Sequence, residues 1–233
     1  MPPDWPDEFQ DPVRSNMGNN MAKTMLELET PRGQANVHLH LASDPRAALV
    51  LGHGAGGGVE APDLRAAVEV ALEQGLSVAL VEQPYRVAGR RSPAPARQLD
   101  AAWTAVVGHL REAELEGTPL IAGGRSLGAR VACRTAEATG AIAVLCLAFP
   151  LQPPRRKGGA PPQDRLHELE DVTVPTLVVQ GERDRFGMPP AGPLREVIIV
   201  PGDHSLKADT AAVADAIRAW LQRVVAGAFG AVR

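Results

Sequence analysis

The chain has 233 residues, 45% of them hydrophobic and 22% charged, enough apolar material for one large domain with a buried core. Twenty-four Lys and Arg against 27 Asp and Glu give a net charge of -3, which argues against a dedicated polyanion binder while leaving room for a local basic patch. The longest apolar run, Ala141 to Phe149, has nine residues, short of the roughly 20 that cross a bilayer as a helix. The opening MPPDWPDEFQDPVRSN has neither the basic start nor the apolar stretch of a secretory signal. The expectation is a cytoplasmic protein with no membrane or nucleic-acid partner. Cys133 and Cys146 each sit in an apolar segment and read as reduced thiols filling core space.

Residues 1–22 are rich in proline and acid, have no periodicity, and are expected to form a disordered tail ahead of a single domain over residues 23–233. Met25 to Glu29 and Ala35 to Leu41 alternate apolar and polar, predicting two antiparallel strands around Pro31-Arg32-Gly33. His38 and His40 then share the polar face, and with no third ligand at a suitable spacing they read as a solvated strand face rather than a metal site. From residue 47 apolar strands alternate with helices, the pattern of a parallel sheet with crossover helices. The strands are expected at Ala47–Leu51, Ser77–Val81, Pro119–Ala122, Ala141–Leu147, Thr176–Gln180 and Val197–Val200. Helices are expected at Leu64–Gln74, Gln98–Leu115 and Leu127–Ala138, with a further one near the C-terminus carrying Val213, Ile217, Trp220, Leu221 and Val224 on one stripe. Gln83 to Arg97 and the proline-rich Pro150 to Pro162 read as loops.

Gly124-Arg125-Ser126-Leu127-Gly128 follows a strand and precedes a helix, the setting a nucleophile elbow requires. A serine in so sharp a turn needs small neighbours two residues away on either side, because strand and helix backbones pass close together there. A lone hydroxyl is a poor nucleophile at neutral pH and needs a base in reach, with an acid to orient that base. Downstream of Ser126, one strand ends in Gly181-Glu182-Arg183-Asp184 and the next in Pro201-Gly202-Asp203-His204. Both lie at carboxyl ends of parallel strands, where open α/β sheets bind ligands. His204 is the candidate base and Asp184 the candidate acid, with Glu182 and Asp203 as rivals. His109 and His167 fall in helical stretches. A third motif, Leu51-Gly52-His53-Gly54-Ala55-Gly56-Gly57-Gly58, ends another strand and would turn backbone N–H groups inward. The N–H of Leu127 with that of Ala55 or Gly56 would make an oxyanion hole. The run lacks the Gly-Lys-Ser/Thr ending of a phosphate loop, and His53 reads as a structural hydrogen-bonding residue.

Together HGAGGG, GRSLG, QGERD and GDHS resemble the α/β-hydrolase superfamily, nearest its small dienelactone-hydrolase-like members. More narrowly, VEQPYRVAGRRSPAP, GGRSLGARVA, AFPLQPP, PTLVVQGERDRFG and GDHSLK resemble small bacterial hydrolases related to vertebrate testis-expressed hydrolase-like proteins, over about residues 25 to 225. The resemblance implies a mostly parallel twisted sheet with helices on both faces and a minimal cap. It also implies Ser126 as nucleophile, Asp184 as acid and His204 as base. Arg185 stands where relatives commonly have proline, and Ala129 where a third glycine is common.

The expected activity is serine hydrolysis of an ester, thioester or related acyl bond of a small molecule, with no cofactor and no metal. The alternative is an interaction protein that keeps the fold without turnover. Arg86, Arg90, Arg91 and Arg97 in one loop, and Arg155, Arg156 and Lys157 in the other, would rim the same cleft. Arg86, Arg90 and Arg91 are the candidates for binding an anionic group of the substrate.

Overall fold

The structure is a computed structural model that describes residues 22–153 and 164–230. Residues 1–21 of the expected tail, and Arg155, Arg156 and Lys157, lie outside the described residues, whereas Ala22 already belongs to the first strand. Strands β1 (Ala22–Thr30) and β2 (Gly33–Leu41) form the expected hairpin. β2 runs antiparallel to β4 (Ser77–Glu82), and everything beyond is parallel: β3 (Ala48–Gly52), β5 (Leu120–Arg125), β6 (Ala143–Leu147), β7 (Thr176–Gly181) and β8 (Arg195–Val200). All eight join one sheet in the order β1-β2-β4-β3-β5-β6-β7-β8.

The helices divide between the two faces because successive strand residues point opposite ways. Ala48, Val50, Ala79, Val81, Ala122 and Val144 face α3 (Ala96–Glu112) and α4 (Leu127–Thr139), which lay Trp103, Val106, Val131 and Ala132 over them. Leu49, Leu51, Leu80, Ile121, Leu145 and Leu177 face α1 (Pro62–Glu73) and α6 (Thr210–Gly230), which contribute Leu64, Ala67, Ile217 and Leu221. The predicted stripe on α6 is buried except at Val224, which is only half-buried, with Val225 taking the inner place. Among the described residues no helix is long and apolar enough to cross a membrane.

Two expectations need correction. The Gln83–Arg97 segment is not all loop, since Pro84–Val87 forms a short helix, α2. Pro84 at its first position fixes a helical φ and gives up an N–H that would have had no partner there. The polar face of β2 is not freely solvated either, because His38 and His40 are half-buried and His38 Nε2 stands 3.4 Å from Glu82.

Candidate active site

β5 runs three residues further than its apolar pattern suggests, through Gly123 and Gly124 to Arg125, and α4 begins at Leu127. Ser126 alone makes the turn, with φ 52° and ψ -103°. A non-glycine residue held at positive φ stores of order 1–3 kcal/mol of strain and persists only when its surroundings enforce it. Here the Ser126 N–H donates to Leu147 O at 2.8 Å, and its carbonyl accepts from the Arg130 N–H on α4. The flanking glycines are needed for space: a methyl group on Gly128 would overlap the Gly52 carbonyl, and one on Gly124 would lie 2.7 Å from the Gly128 backbone. The end of β3 thus passes directly beneath the start of α4.

The Ser126 Oγ lies 2.9 Å from His204 Nε2, and His204 Nδ1 lies 2.8 Å from Asp184 Oδ2. Residues 78 positions apart in the chain meet because β5, β7 and β8 all end on the same edge. Asp184 has no exposed side-chain surface, whereas His204 keeps 19% of its own. The carboxylate is anchored on both oxygens: Oδ1 accepts from the Phe186 N–H at 2.9 Å, and Oδ2 accepts from Gln180 Nε2 at 2.9 Å as well as facing the imidazole. The Gln180 amide also donates toward Phe149 O and Gly187 O, tying the acid turn to the ends of β6 and β7. Phe186 packs edge-on against the His204 ring with centroids 4.5 Å apart. The rival carboxylates are occupied elsewhere, Glu182 with Arg183 at the surface and Asp203 with the Ser205 N–H and hydroxyl.

The glycine-rich loop after β3 packs Gly54 against the elbow, where an added methyl group would lie 2.8 Å from the Arg125 guanidinium and 3.8 Å from Ser126 Cβ. His53 is buried and works through its backbone partners. Its Nδ1 lies 2.8 Å from Gly54 O, and its Nε2 accepts from the Gln83 N–H at 3.1 Å. That arrangement needs the neutral ring with the proton on Nδ1, in keeping with burial that lowers its pKa below 6.5. The Tyr85 hydroxyl donates to Ala55 O at 3.0 Å and pins the next residue of the loop. Ala55 is half-buried and Gly56 exposed. Leu127, the first residue of α4, carries an N–H with no partner inside its helix.

Arg125 and Asp63 escaped the sequence reading. Asp63 at the start of α1 is fully buried, 3.0 Å from Arg125 Nε. The contact is ionic and poorly aligned as a hydrogen bond, since the facing Oδ2 has no partner of good geometry. Burial pushes the Asp63 carboxyl above its ordinary range and the Arg125 charge draws it back. Arg125 Nη2 in turn donates to His204 O at 3.0 Å. One guanidinium therefore joins α1, the elbow, the Gly54 loop and the His204 loop. The only hint in the sequence was an arginine inside the elbow pentapeptide. Of the arginines expected at the rim, Arg86 is half-buried, while Arg90, Arg91 and Arg97 are exposed. Among the described residues no group of three or more His, Cys, Asp or Glu is placed to hold a metal ion.

A serine, a histidine and an aspartate thus stand in hydrogen-bonded series on the carboxyl edge of an α/β sheet. Residues 45–227 match the alpha/beta hydrolase domain family, and the chain belongs to it. The solved structures it resembles include an α/β serine hydrolase without lid from Xanthomonas campestris, with 20% identity and a TM-score of 0.69 over 86% of this chain and 94% of that one. They also include Est1E from Butyrivibrio proteoclasticus with ferulic acid bound, with 15% identity and a TM-score of 0.71 over 86% and 99%. A dienelactone hydrolase from Anabaena variabilis follows at 15% identity and a TM-score of 0.69 over 87% and 98%. No curated protein matches the sequence.

Proposed function

We propose that the chain is a serine hydrolase that cleaves an ester, thioester or related acyl bond of a small molecule through an acyl-enzyme. The reading is carried by the continuous line from Ser126 Oγ to His204 Nε2 and from His204 Nδ1 to Asp184. His204 Nε2 takes the hydroxyl proton as Oγ attacks the acyl carbon, and Asp184 holds the ring in the required tautomer and stabilises the cation that forms. The carbonyl oxygen becomes an oxyanion received by the N–H of Leu127 and that of Ala55. Ala55 is preferred to Gly56 because it is half-buried whereas Gly56 is exposed. As the C–O or C–S bond breaks, the imidazolium gives its proton to the leaving oxygen or sulfur. A water then loses a proton to the same nitrogen, attacks the acyl carbon, and the acid leaves with Ser126 restored. No cofactor or metal enters this cycle.

We place the protein in the cytoplasm on the same footing. Cys133 Sγ and Cys146 Sγ lie 3.4 Å apart in the core, and a reducing compartment keeps such a pair as thiols.

A fluorophosphonate probe tests the function. Labelling should occur at Ser126, vanish in Ser126→Ala and fall steeply in His204→Ala. Absence of labelling in the wild type, or labelling of another serine, would overturn the reading and favour a fold kept for interaction alone.

A further inference from the structure

Among the described residues some arginines are ion-paired and others are not. Arg130 and Arg134 on α4 grip Glu168 of α5 (Leu166–Glu170) and Asp100 of α3, Arg218 pairs with Glu73 and Asp215, and Arg223 with Glu196. Arg32, Arg86, Arg90, Arg91 and Arg97 have no carboxylate partner among the described residues. All five lie where the β1–β2 turn meets the segment that follows β4. In a protein of net charge -3 this is a local surplus of cations left uncompensated by the fold.

Two of them, Arg32 and Arg90, line a cavity of about 390 Å³ that includes none of Ser126, Asp184 and His204. Its polar wall adds Gln34, Gln83 and Gln98, its apolar wall includes Val87 and Leu99, and no Asp or Glu among the described residues lines it. Both arginines stand on ordered backbone. The Arg32 N–H donates to Thr30 Oγ1, whose hydroxyl donates on to Gly33 O, and the Arg90 N–H donates to Tyr85 O at 2.9 Å. The start of α3 lies beside the cavity, with Ala94 and Gln98 in the lining. No side chain caps that end and no acid occupies its first turn, so the positive end of the helix adds to the field. Gln83 is almost completely buried and spends its amide N–H on Leu99 O, leaving Oε1 without a hydrogen bond among the described residues, an acceptor that suits a ligand hydroxyl and not its anionic oxygens.

From these observations we propose that the cavity is a binding site for a small amphiphilic phosphate monoester or phosphonate, its anionic group recognised by Arg32 and Arg90 and its apolar part lying against Val87 and Leu99. Guanidinium suits this chemistry because it presents planar pairs of donors to oxyanions. The site also meets the proposed active site. Tyr85 lines the cavity and donates its hydroxyl to Ala55 O, and burial pushes that phenol up to about 12, so it stays neutral and does not repel an anion. Arg86 and Arg91, the other two arginines singled out in the sequence, do not line the cavity; Arg32, from the far end of the chain, does.

Isothermal titration of the full chain with phenylphosphonate at low ionic strength, with benzyl alcohol as the neutral comparison and inorganic phosphate as the head group alone, tests the proposal. Phenylphosphonate should bind more tightly than either, and added salt should weaken it. Arg32→Gln and Arg90→Gln should each weaken it by about tenfold. Ser126→Ala should bind as the wild type does, which separates this site from the proposed catalytic one. Equal binding of phenylphosphonate to the wild type and both arginine variants would overturn the proposal, as would no binding at all. Loss of binding in Ser126→Ala would also overturn it, by moving the anion to the serine. A wild type that binds phenylphosphonate yet takes no fluorophosphonate label would keep the site and overturn the hydrolase reading instead.

Discussion

Arg125 Nη2 donates to the main-chain oxygen of His204 at 3.0 Å, so the residue beside the elbow serine holds the loop that presents the imidazole to it. The same guanidinium neutralises Asp63, which has no exposed side-chain surface. Arg125→Met should destabilise the protein by about 3 kcal/mol, the lower end for breaking a buried pair because Arg125 itself retains some exposure. The double variant Asp63→Leu/Arg125→Met should recover most of that stability, since neither charge is left alone. It should still label about tenfold more slowly with fluorophosphonate, because His204 O has lost its donor. Urea unfolding and labelling rates on the same proteins separate the two effects, and wild-type labelling by the double variant would leave Arg125 with a stabilising part only.

Three carboxylates near His204 are distinguished by what they already hold. Asp184→Asn should lose about 1–3 kcal/mol of stability, because its NH2 must face an N–H donor that the carboxylate accepted, and about 10⁴-fold in turnover, because an amide in that place favours the wrong imidazole tautomer. Glu182→Gln and Asp203→Asn, whose contacts are at the surface, should stay within a few-fold of wild type. Steady-state kinetics on any activated ester the enzyme accepts would rank the three.

His53 gives a pH dependence whose sign is fixed by its two partners. Protonating Nε2 would remove the acceptor of the Gln83 N–H, and burial opposes the charge, so the folded ring titrates below 6.5. The unfolded chain takes up this proton first, and stability therefore falls as pH drops through 6.5 toward the folded value. The slope from one such group is at most about 1.4 kcal/mol per pH unit. His53→Gln should flatten that part of the curve when thermal or urea unfolding is followed from about pH 7.5 to 5.5.

Glycines near the site are not equivalent. Gly128→Ala must displace the Gly52 carbonyl and should cost at least about 1–3 kcal/mol with a matching loss of activity. At Gly56, which has open space around it, alanine should be tolerated to within about 0.5 kcal/mol. Melting temperatures of the two variants settle the comparison.

The strands could be read because each is a short apolar run bounded by turn residues, and Ser126, Asp184 and His204 could be singled out because each follows such a run. The edge on which strands end is therefore enough to bring distant residues together. Arg125 and Asp63 were beyond reach for the opposite reason. Charged residues at a strand end and a helix start look like ordinary surface, and only the fold, which sets Arg125 against Asp63, takes the carboxylate out of water. The cavity beside α2 was hidden in the same way. Arg32 sits in a hairpin turn that register alone brings against Pro84 and Tyr85, since β2 pairs with β4 and not with its chain neighbour β3.

The two faces of the sheet differ in grain, mainly alanine and valine beneath α3 and α4, mainly leucine and isoleucine beneath α1 and α6. A leucine layer accepts exchange among residues of similar volume, whereas a methyl-sized layer has no slack, and any enlargement at Ala48, Ala79 or Ala122 must lift the helices above it. One of those helices begins at the residue after Ser126. The α3/α4 face is thus a lever on the elbow, through which a substitution far from any substrate retunes the angle at which Oγ is presented. In a laboratory selection for altered activity, remote beneficial changes should gather on that side of the sheet and be sparse on the other.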